Sequence, residues 1–180
     1  MTENSDPVSE SGSKVIRILG CGSPLMGDDG VGIRIVEKLT AMAENDERLA
    51  DVEILDVGVC GLDLLGYLDG ADYIIMTDAV KANLEPGKII KMSGRDLIDG
   101  NDFGRALSAH DIAVPDVLKI AEATQGLPEI TIFGVIIPVV VGDVFDMSYD
   151  LSPSVEPSVD RVIPLILDEI ARIRSSSQTS

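Results

Sequence analysis

Two acidic residues and one histidine have side chains suited to binding a metal ion or performing acid–base chemistry. Asp29 lies in a glycine-rich loop that spans residues 20–32, and Asp78 follows an apolar run. His110 is the one histidine in the chain. Two carboxylates and one imidazole form an O,O,N ligand set that suits Zn, Ni, Mn or Fe and leaves coordination positions open for water or substrate.

The segments around these residues alternate between strands and helices. Short apolar runs predict five strands, at Val15–Leu19, Val52–Leu55, Tyr73–Met76, Lys88–Met92 and Ile130–Ile137. Between and after them, apolar residues recur at helical spacing, most clearly from Val155 to Ile173. Because strands joined by helices require crossover connections, we predict an α/β fold. It is a three-layer sandwich, in which a mainly parallel five-stranded sheet carries helices on both faces.

The predicted sheet would bring the candidate residues to one edge. The common strand order 2-1-3-4-5 places a ligand site beyond the carboxyl ends of the first and third strands. Asp29 follows the first strand, Asp78 follows the third, and His110 precedes a later helix. We therefore predict Asp29 and Asp78 as catalytic residues, and Asp29, Asp78 and His110 as metal ligands.

The glycine-rich loop also resembles a phosphate-binding loop, because such loops lead from a strand into a helix N-terminus. Its spacing fits poorly, since Leu25 stands where the third small residue of the dinucleotide fingerprint belongs, after Gly20 and Gly22. Asp28 and Asp29 would repel a phosphate there. We assign no cofactor-binding residue, and a nucleotide- or phosphate-binding module without enzymatic activity stays the alternative.

Composition limits the partners and the location of the protein. The 180 residues include 31 acidic and 14 basic side chains, which gives a net charge of −17. Such a surface repels nucleic acid and anionic membranes, so neither is an expected partner. No apolar stretch reaches the ~18 residues that span a bilayer, and residues 1–13 lack the pattern of a signal peptide. We predict a monomeric cytoplasmic protein.

The length and the cysteines fit one compact unit. We predict a single domain over residues 14–173, between disordered tails at 1–13 and 174–180. Cys21 and Cys60 are too few for a disulfide framework. Cys21 lies in the glycine-rich loop, where it could be reactive, and Cys60 is expected to be a small buried residue.

Several motifs in a fixed order carry a resemblance that extends from Val15 to Ile173. They are Gly20-x-Gly22-x(5)-Asp28-Asp29-Gly30-x-Gly32, Asp56-x-Gly58-x-x-Gly61-x-x-Leu64-Leu65, Asp78-Ala79, Ser108-x-His110, and Gly134-Val135-x-x-Pro138 followed by Leu151-Ser152-Pro153. In these motifs the chain resembles the hydrogenase maturation proteases. Those endopeptidases trim the C-terminus of the NiFe-hydrogenase large-subunit precursor.

The resemblance implies both a partner and a role for the candidate residues. The family's metal-contacting residues match Asp29, Asp78 and His110. The enzyme would engage nickel, or another divalent transition metal, already inserted in the large-subunit precursor, and cut beyond its metal-binding cysteine motif. The family has been grouped with aspartic peptidases. A third hypothesis is therefore a metal-independent aspartyl protease, in which Asp29 and Asp78 share one proton.

The chain departs from the family pattern at two places. Ser23 stands where an asparagine is usual, and residues 56–59 read Asp-Val-Gly-Val in place of Asp-Gly-Gly-Thr. The resemblance associates this second loop with substrate recognition. The particular hydrogenase that the protein serves is therefore left open.

Overall fold

A five-stranded sheet forms the centre of the protein. The computed structural model describes residues 14–100, 113–138 and 147–177. Within these ranges the strands are β1 (Ile16–Cys21), β2 (Val52–Gly58), β3 (Tyr73–Lys81), β4 (Ile89–Ser93) and β5 (Glu129–Ile137). Their order is β2-β1-β3-β5-β4. All neighbouring pairs are parallel except β4 and β5, which are antiparallel.

Helices cover both faces of this sheet. They are α1 (Val31–Ala43), α2 (Leu64–Leu68), α3 (Gly94–Ile98), α4 (Val114–Thr124) and α5 (Glu156–Ser177), with 3₁₀ turns at Gly27–Gly30 and Glu47–Leu49. One apolar cluster lies between the sheet and α1 and α5, and a second lies between the sheet and α2, α3 and α4. The predicted three-layer α/β fold is confirmed.

The predicted strand order is wrong for the last two strands. β5 lies between β3 and β4, whereas the predicted order placed β4 between β3 and β5. β5 is buried without interruption from Ile130 to Ile137, whereas β4 is mostly only half-buried. A strand that is apolar on both faces gains most from an interior position, so the more polar β4 takes the edge. β1 and β3 remain neighbours, and the predicted position of the site is unaffected.

The end of the third strand differs from the prediction, and one helix was not predicted. β3 continues past Met76 to Lys81, so Asp78 lies inside the strand, paired with Gly134 of β5, and not after its end. The reason is that the sequence stays apolar beyond Asp78 and pairs with the long β5. The helix α3 was not predicted, and it begins at a capping box formed by Ser93 and Asp96.

The last helix, α5, extends to Ser177, past Ile173, where the predicted domain ends. The predicted N-terminal tail, residues 1–13, lies outside the described residues. None of the helices in the described ranges combines the length and the apolar character that a bilayer crossing needs.

Candidate active site

Asp29 and Asp78 lie on adjoining elements at the carboxyl end of the sheet. β1 and β3 run parallel, and Gly20 near the end of β1 pairs with Thr77 of β3. The chain leaves β1 through the glycine-rich loop and enters the 3₁₀ turn Gly27–Gly30, which carries Asp29 and packs against β3. The fold therefore brings together two elements that carry these acids and lie far apart in the sequence.

The Asp29 side chain is held by the loop that precedes it. Only 8% of Asp29 is exposed, and its carboxylate accepts a hydrogen bond of 3.0 Å from the backbone N–H of Ser23. Gly22 lies against the same residue in a left-handed conformation, with φ of +123°. A Cβ atom at Gly22 would stand 1.9 Å from the carbonyl oxygen of Asp29. The glycine therefore allows the loop to fold back onto Asp29.

Helix α1 begins in direct contact with the two central strands. A Cβ atom at Gly32 would lie 2.2 Å from the carbonyl oxygen of Cys21 and 2.4 Å from that of Thr77. The hydroxyl of Thr77 lies within hydrogen-bond distance of the carbonyl oxygens of Leu19, at 3.3 Å, and Gly32, at 3.2 Å. The glycines of this loop therefore serve close packing between helix and sheet, which fixes the position of the Asp29 turn relative to β3.

Asp78 is completely buried and points to the opposite face of the sheet from Thr77. It shares that face with Met76 and Val80, which pack in the cluster under α2 and α4. Its carboxylate accepts a hydrogen bond of 2.8 Å from the backbone N–H of Ala79. A carboxylate at this depth is costly unless polar or charged groups compensate it. Asp78 is therefore a stronger functional candidate than an exposed acid at a strand end.

The third predicted ligand, His110, lies outside the described residues, and its position stays a prediction. Helix α4 begins at Val114 on the face that Asp78 shares, with Pro115 in its first turn. Within the described residues, no three His, Cys, Asp or Glu side chains are grouped so as to hold a metal ion. The predicted ligand set therefore depends on His110.

A second segment, residues 147–152, closes over the Asp29 loop. Ser148 accepts a hydrogen bond from the N–H of Gly27 at 2.7 Å and donates one to the carbonyl of Leu25 at 3.1 Å. The N–H of Ser152 donates to the carboxylate of Asp28 at 2.6 Å. Asp28 therefore anchors the segment before α5. The motif Leu151-Ser152-Pro153 was noticed in the sequence, but nothing local indicated its partner.

The amides of the glycine-rich loop are used within the protein. They donate to carbonyl or carboxylate oxygens over most of the loop, as seen for Gly22, Ser23, Met26, Gly27 and Asp29. A phosphate-binding loop needs such N–H groups to point at the ligand. The structure therefore disfavours the phosphate-binding alternative at this loop.

Cys21 and Cys60 form a disulfide, with their Cα atoms 6.0 Å apart. This bond was not predicted from the sequence, where the two cysteines were expected to have separate roles. Cys60 is buried, as expected, and Cys21 is not a free thiol. The bond joins the end of β1 to the loop that follows β2, and both of these belong to the edge that carries Asp29.

Exposed apolar side chains surround this edge of the sheet. They come from the loop after β1, the loop after β2 and the segment 147–152, and we call them the apolar rim: Leu25, Met26, Val59, Leu62, Met147 and Tyr149. Their exposed fractions lie between 36% and 67%. Apolar side chains gathered around a polar site are typical of a surface that contacts another polypeptide.

Comparison with known proteins establishes the family. A sequence model of the family described as hydrogenase maturation protease matches residues 33–169. The chain belongs to the hydrogenase maturation protease family. The match covers most of α1, the four strands that follow β1 and most of α5, and so includes Asp78 and His110.

Individual relatives agree with this assignment. The hydrogenase 2 maturation protease of Escherichia coli K12 is 36% identical over 124 residues, which make up 67% of this chain and 72% of that protein. The hydrogenase expression/formation protein HupD of Rhodobacter capsulatus is 35% identical over 107 residues, 59% of this chain and 49% of that protein. The chain thus aligns with about half the length of HupD.

A solved structure shows the same fold. The hydrogenase maturating endopeptidase HybD from Escherichia coli superposes with a TM-score of 0.67 at 28% sequence identity. The superposition covers 90% of this chain and 93% of HybD. The fold of this family member is therefore shared over nearly its full length.

Replacing Gly22 by alanine is expected to displace the Asp29 turn of this family member. The new Cβ would overlap the Asp29 carbonyl, and the left-handed backbone would be strained, for a combined loss of about 3 kcal/mol of stability. Urea unfolding measures this loss. Gly66→Ala is the matched control, because a Cβ at Gly66 meets no atom within 4 Å. Equal stability of the two variants would show that the loop does not press on Asp29.

Proposed function

We propose that this protein is an endopeptidase that removes the C-terminal extension of a NiFe-hydrogenase large-subunit precursor after nickel has been inserted. One observation carries the proposal. In a member of the hydrogenase maturation protease family, Asp29 and Asp78 lie on adjoining elements at the carboxyl end of a mainly parallel sheet. Ligand sites of such sheets lie at this edge, beside the point where the strand order reverses.

The nickel in this proposal belongs to the substrate. The metal of the precursor would take oxygen ligands from Asp29 and Asp78 and a nitrogen ligand from His110. Imidazole suits nickel, and a set of three leaves coordination positions for groups of the precursor itself. A precursor without nickel would lack these bonds and would be held less well at the site.

The surroundings of the two carboxylates support a polypeptide substrate. The apolar rim offers side chains such as Leu62 and Tyr149 to an extended peptide, and the amides of the glycine-rich loop are already engaged internally. A peptide held between the rim and the carboxylates would have its scissile bond fixed beside the metal. Such fixed orientation supplies a large part of catalytic rate enhancement.

Two routes to hydrolysis fit this arrangement. Nickel could polarise the scissile carbonyl or lower the pKa of a bound water towards ~7. Alternatively, Asp29 and Asp78 could share one proton and activate water directly, as in an aspartic peptidase. We favour the first route, because it gives His110 a role that the second route lacks.

The nickel content of the precursor provides the central test. Purified protein is mixed with nickel-loaded or nickel-free precursor, and cleavage is followed by mass spectrometry of the released extension. We expect rapid cleavage of the loaded form and at least about tenfold slower cleavage of the nickel-free form. Equal rates would contradict nickel recognition while leaving the peptidase activity intact. No cleavage of either form would contradict the proposed function.

His110→Ala is expected to weaken both cleavage of the loaded precursor and binding of Ni²⁺ to the protein. Loss of one ligand of three removes a coordinate bond, so we expect a loss of roughly ten- to a hundredfold in metal affinity. Isothermal titration with Ni²⁺ measures the affinity. Activity that survives both His110→Ala and a chelator would instead favour the metal-independent aspartyl mechanism.

Thermal protection by NAD, FAD or ATP would favour the nucleotide-binding alternative.

A further inference from the structure

The disulfide between Cys21 and Cys60 lies at the edge of the sheet that carries both candidate carboxylates. Cys21 follows Gly20, and Gly20 pairs with Thr77, the residue before Asp78 on the neighbouring strand. Cys21 and Cys60 pack in the cluster that contains Met76, on the face of the sheet that Asp78 shares. The bond is therefore part of the surroundings of Asp78.

Cys21 is also linked to Asp29 through the two residues that follow it. Gly22 packs against the backbone of Asp29, and the N–H of Ser23 donates to the Asp29 carboxylate. The N–H of Gly22 donates in addition to the carbonyl of Gly58, at 2.9 Å. Cys60 is thus connected through Cys21 to the loop that holds Asp29, and that loop also has hydrogen bonds of its own.

Cys60 lies on a loop that stands at the surface. The loop 58–63 carries Val59 and Leu62, which are 46% and 50% exposed and belong to the apolar rim. Cβ atoms built at Gly58 and Gly61 meet no atom within 4 Å. The disulfide and the Gly22–Gly58 hydrogen bond tie this open loop to the end of β1.

We propose that the Cys21–Cys60 pair is a reversible thiol–disulfide site that controls how firmly the loop 58–63 is held at the apolar rim. In the oxidised form the loop is clamped in place, and in the reduced form it is released. The consequence for precursor binding rests on the proposed function, whereas the redox chemistry and the loop motion do not.

The reduction balances as an exchange with an external dithiol, such as dithiothreitol or a dithiol protein. A thiolate of the dithiol attacks Sγ of Cys60, the S–S bond breaks, and Cys21 leaves as a thiolate that takes a proton. The second thiolate of the reductant then attacks the mixed disulfide, and Cys60 is released as a thiol. The reductant becomes a disulfide, and two electrons pass to the protein. In oxidation, the thiolate of one cysteine attacks glutathione disulfide and releases one glutathione thiol. The thiolate of the other cysteine then displaces the second glutathione, so that glutathione disulfide accepts two electrons.

The position of the two sulfur atoms favours attack at Cys60. Cys21 is fully buried in the central strand β1, whereas Cys60 retains 3% exposure and lies in a loop. A small opening of the loop 58–63 exposes Cys60 without breaking the sheet. Local openings of this kind cost far less than global unfolding.

Release of the loop is expected to change substrate affinity more than the chemical step. In the reduced protein, Val59 and Leu62 would have to be ordered during binding, and that ordering opposes association. The hydrogen bond from Ser23 to Asp29 lies within the glycine-rich loop and does not involve Cys60, so we expect it in both forms. We therefore expect reduction to raise KM several-fold and to leave kcat within about twofold.

The test compares the full chain equilibrated with glutathione disulfide and with dithiothreitol. Alkylation and mass spectrometry count free thiols, and we expect none in the oxidised protein and two in the reduced protein. Hydrogen exchange of the amides in 58–63 should accelerate at least about tenfold on reduction, while the amides of β5 stay protected. Cys60→Ser is the matched variant, and its loop exchange and KM should equal those of the reduced protein under both conditions.

Three results would overturn the proposal. They are two free thiols after equilibration with glutathione disulfide, a bond that resists dithiothreitol in the native protein, and loop exchange that does not change on reduction. A Cys60→Ser variant with the KM of the oxidised protein would overturn the link to binding. If neither redox form cleaves the precursor, the proposed function fails, and the thiol count and exchange data still decide whether the redox site exists.

Discussion

Asp78→Asn is expected to reduce cleavage of the nickel-loaded precursor by at least about a hundredfold, because the amide cannot supply the negative charge that metal binding or proton transfer requires. The amide oxygen can still accept the hydrogen bond from Ala79, and the side chain keeps its volume. The fold should therefore survive. Single-turnover cleavage, followed by mass spectrometry, measures the rate.

A matched exposed acid provides the control for this substitution. Asp69→Asn removes the same charge at the other end of the sheet, where Asp69 follows α2 and lies exposed to solvent. We expect its cleavage rate to stay within about twofold of the wild-type rate. Circular dichroism of both variants confirms that they are folded. A wild-type cleavage rate in a folded Asp78→Asn variant would remove Asp78 from the site.

Glu169→Gln is expected to lower the free energy of unfolding more than the removal of any other single charge in the described residues. Glu169 lies in α5 with only 3% of its surface exposed. Its carboxylate accepts hydrogen bonds from Lys91 of β4 at 2.7 Å, Thr131 of β5 at 2.7 Å, and Arg172 at 3.0 and 3.1 Å. These bonds join the last helix to the edge of the sheet.

The surroundings of Glu169 lower its pKa. Burial by itself would raise the pKa, but hydrogen bonds from Arg172, Lys91 and Thr131 favour the ionised form and lower the pKa from 4.5 to about 2. A difference of this size between the folded and unfolded states corresponds to about 3 kcal/mol of stability. Above pH 4.5 the contribution is fully present. It is lost as the pH falls from about 4.5 towards 2, because the unfolded state binds the proton first.

Urea unfolding at several pH values measures this effect. At pH 7 we expect Glu169→Gln to lose roughly 2–3 kcal/mol, and the difference from wild type should shrink below pH 4.5. Glu122→Gln is the control, because Glu122 pairs with Arg95 at the surface, where 42% and 56% of the two side chains are exposed. Surface pairs contribute at most about 1 kcal/mol. A loss at Glu169 no larger than at Glu122 would show that the buried network does not hold α5.

The edge that carries the two candidate acids could be predicted from the sequence, because strand ends in parallel sheets converge. The apolar runs before Gly20 and through Met76 identified β1 and β3, and the carboxylates after them had to meet at one edge. β1 and β3 are neighbours in both the predicted and the observed strand order, so the error at β4 and β5 does not affect this edge. The later end of β3 leaves this edge unchanged as well. β3 ends at Lys81, so Asp78 lies inside the strand, near its carboxyl end.

Contacts between distant segments could not be read from the sequence. The anchoring of Ser152 on Asp28 joins residues 124 positions apart, and the Cys21–Cys60 bond joins residues 39 positions apart. Such contacts leave no periodicity and no local propensity. They depend on the conformations that the loops adopt after the sheet and helices have packed.

The amino-acid order by itself determined the alternation of strands and helices, the burial of the sheet on both faces and the acids that belong to its carboxyl edge. These properties depend on local hydrophobic periodicity, which acts over a few residues. Tertiary packing decided the neighbours of β4 and β5, the depth of Asp78, the charged network of Glu169 and the pairing of the cysteines. Those features depend on contacts between segments that are distant in the sequence. Such contacts form only when the whole chain packs and buries its apolar surface.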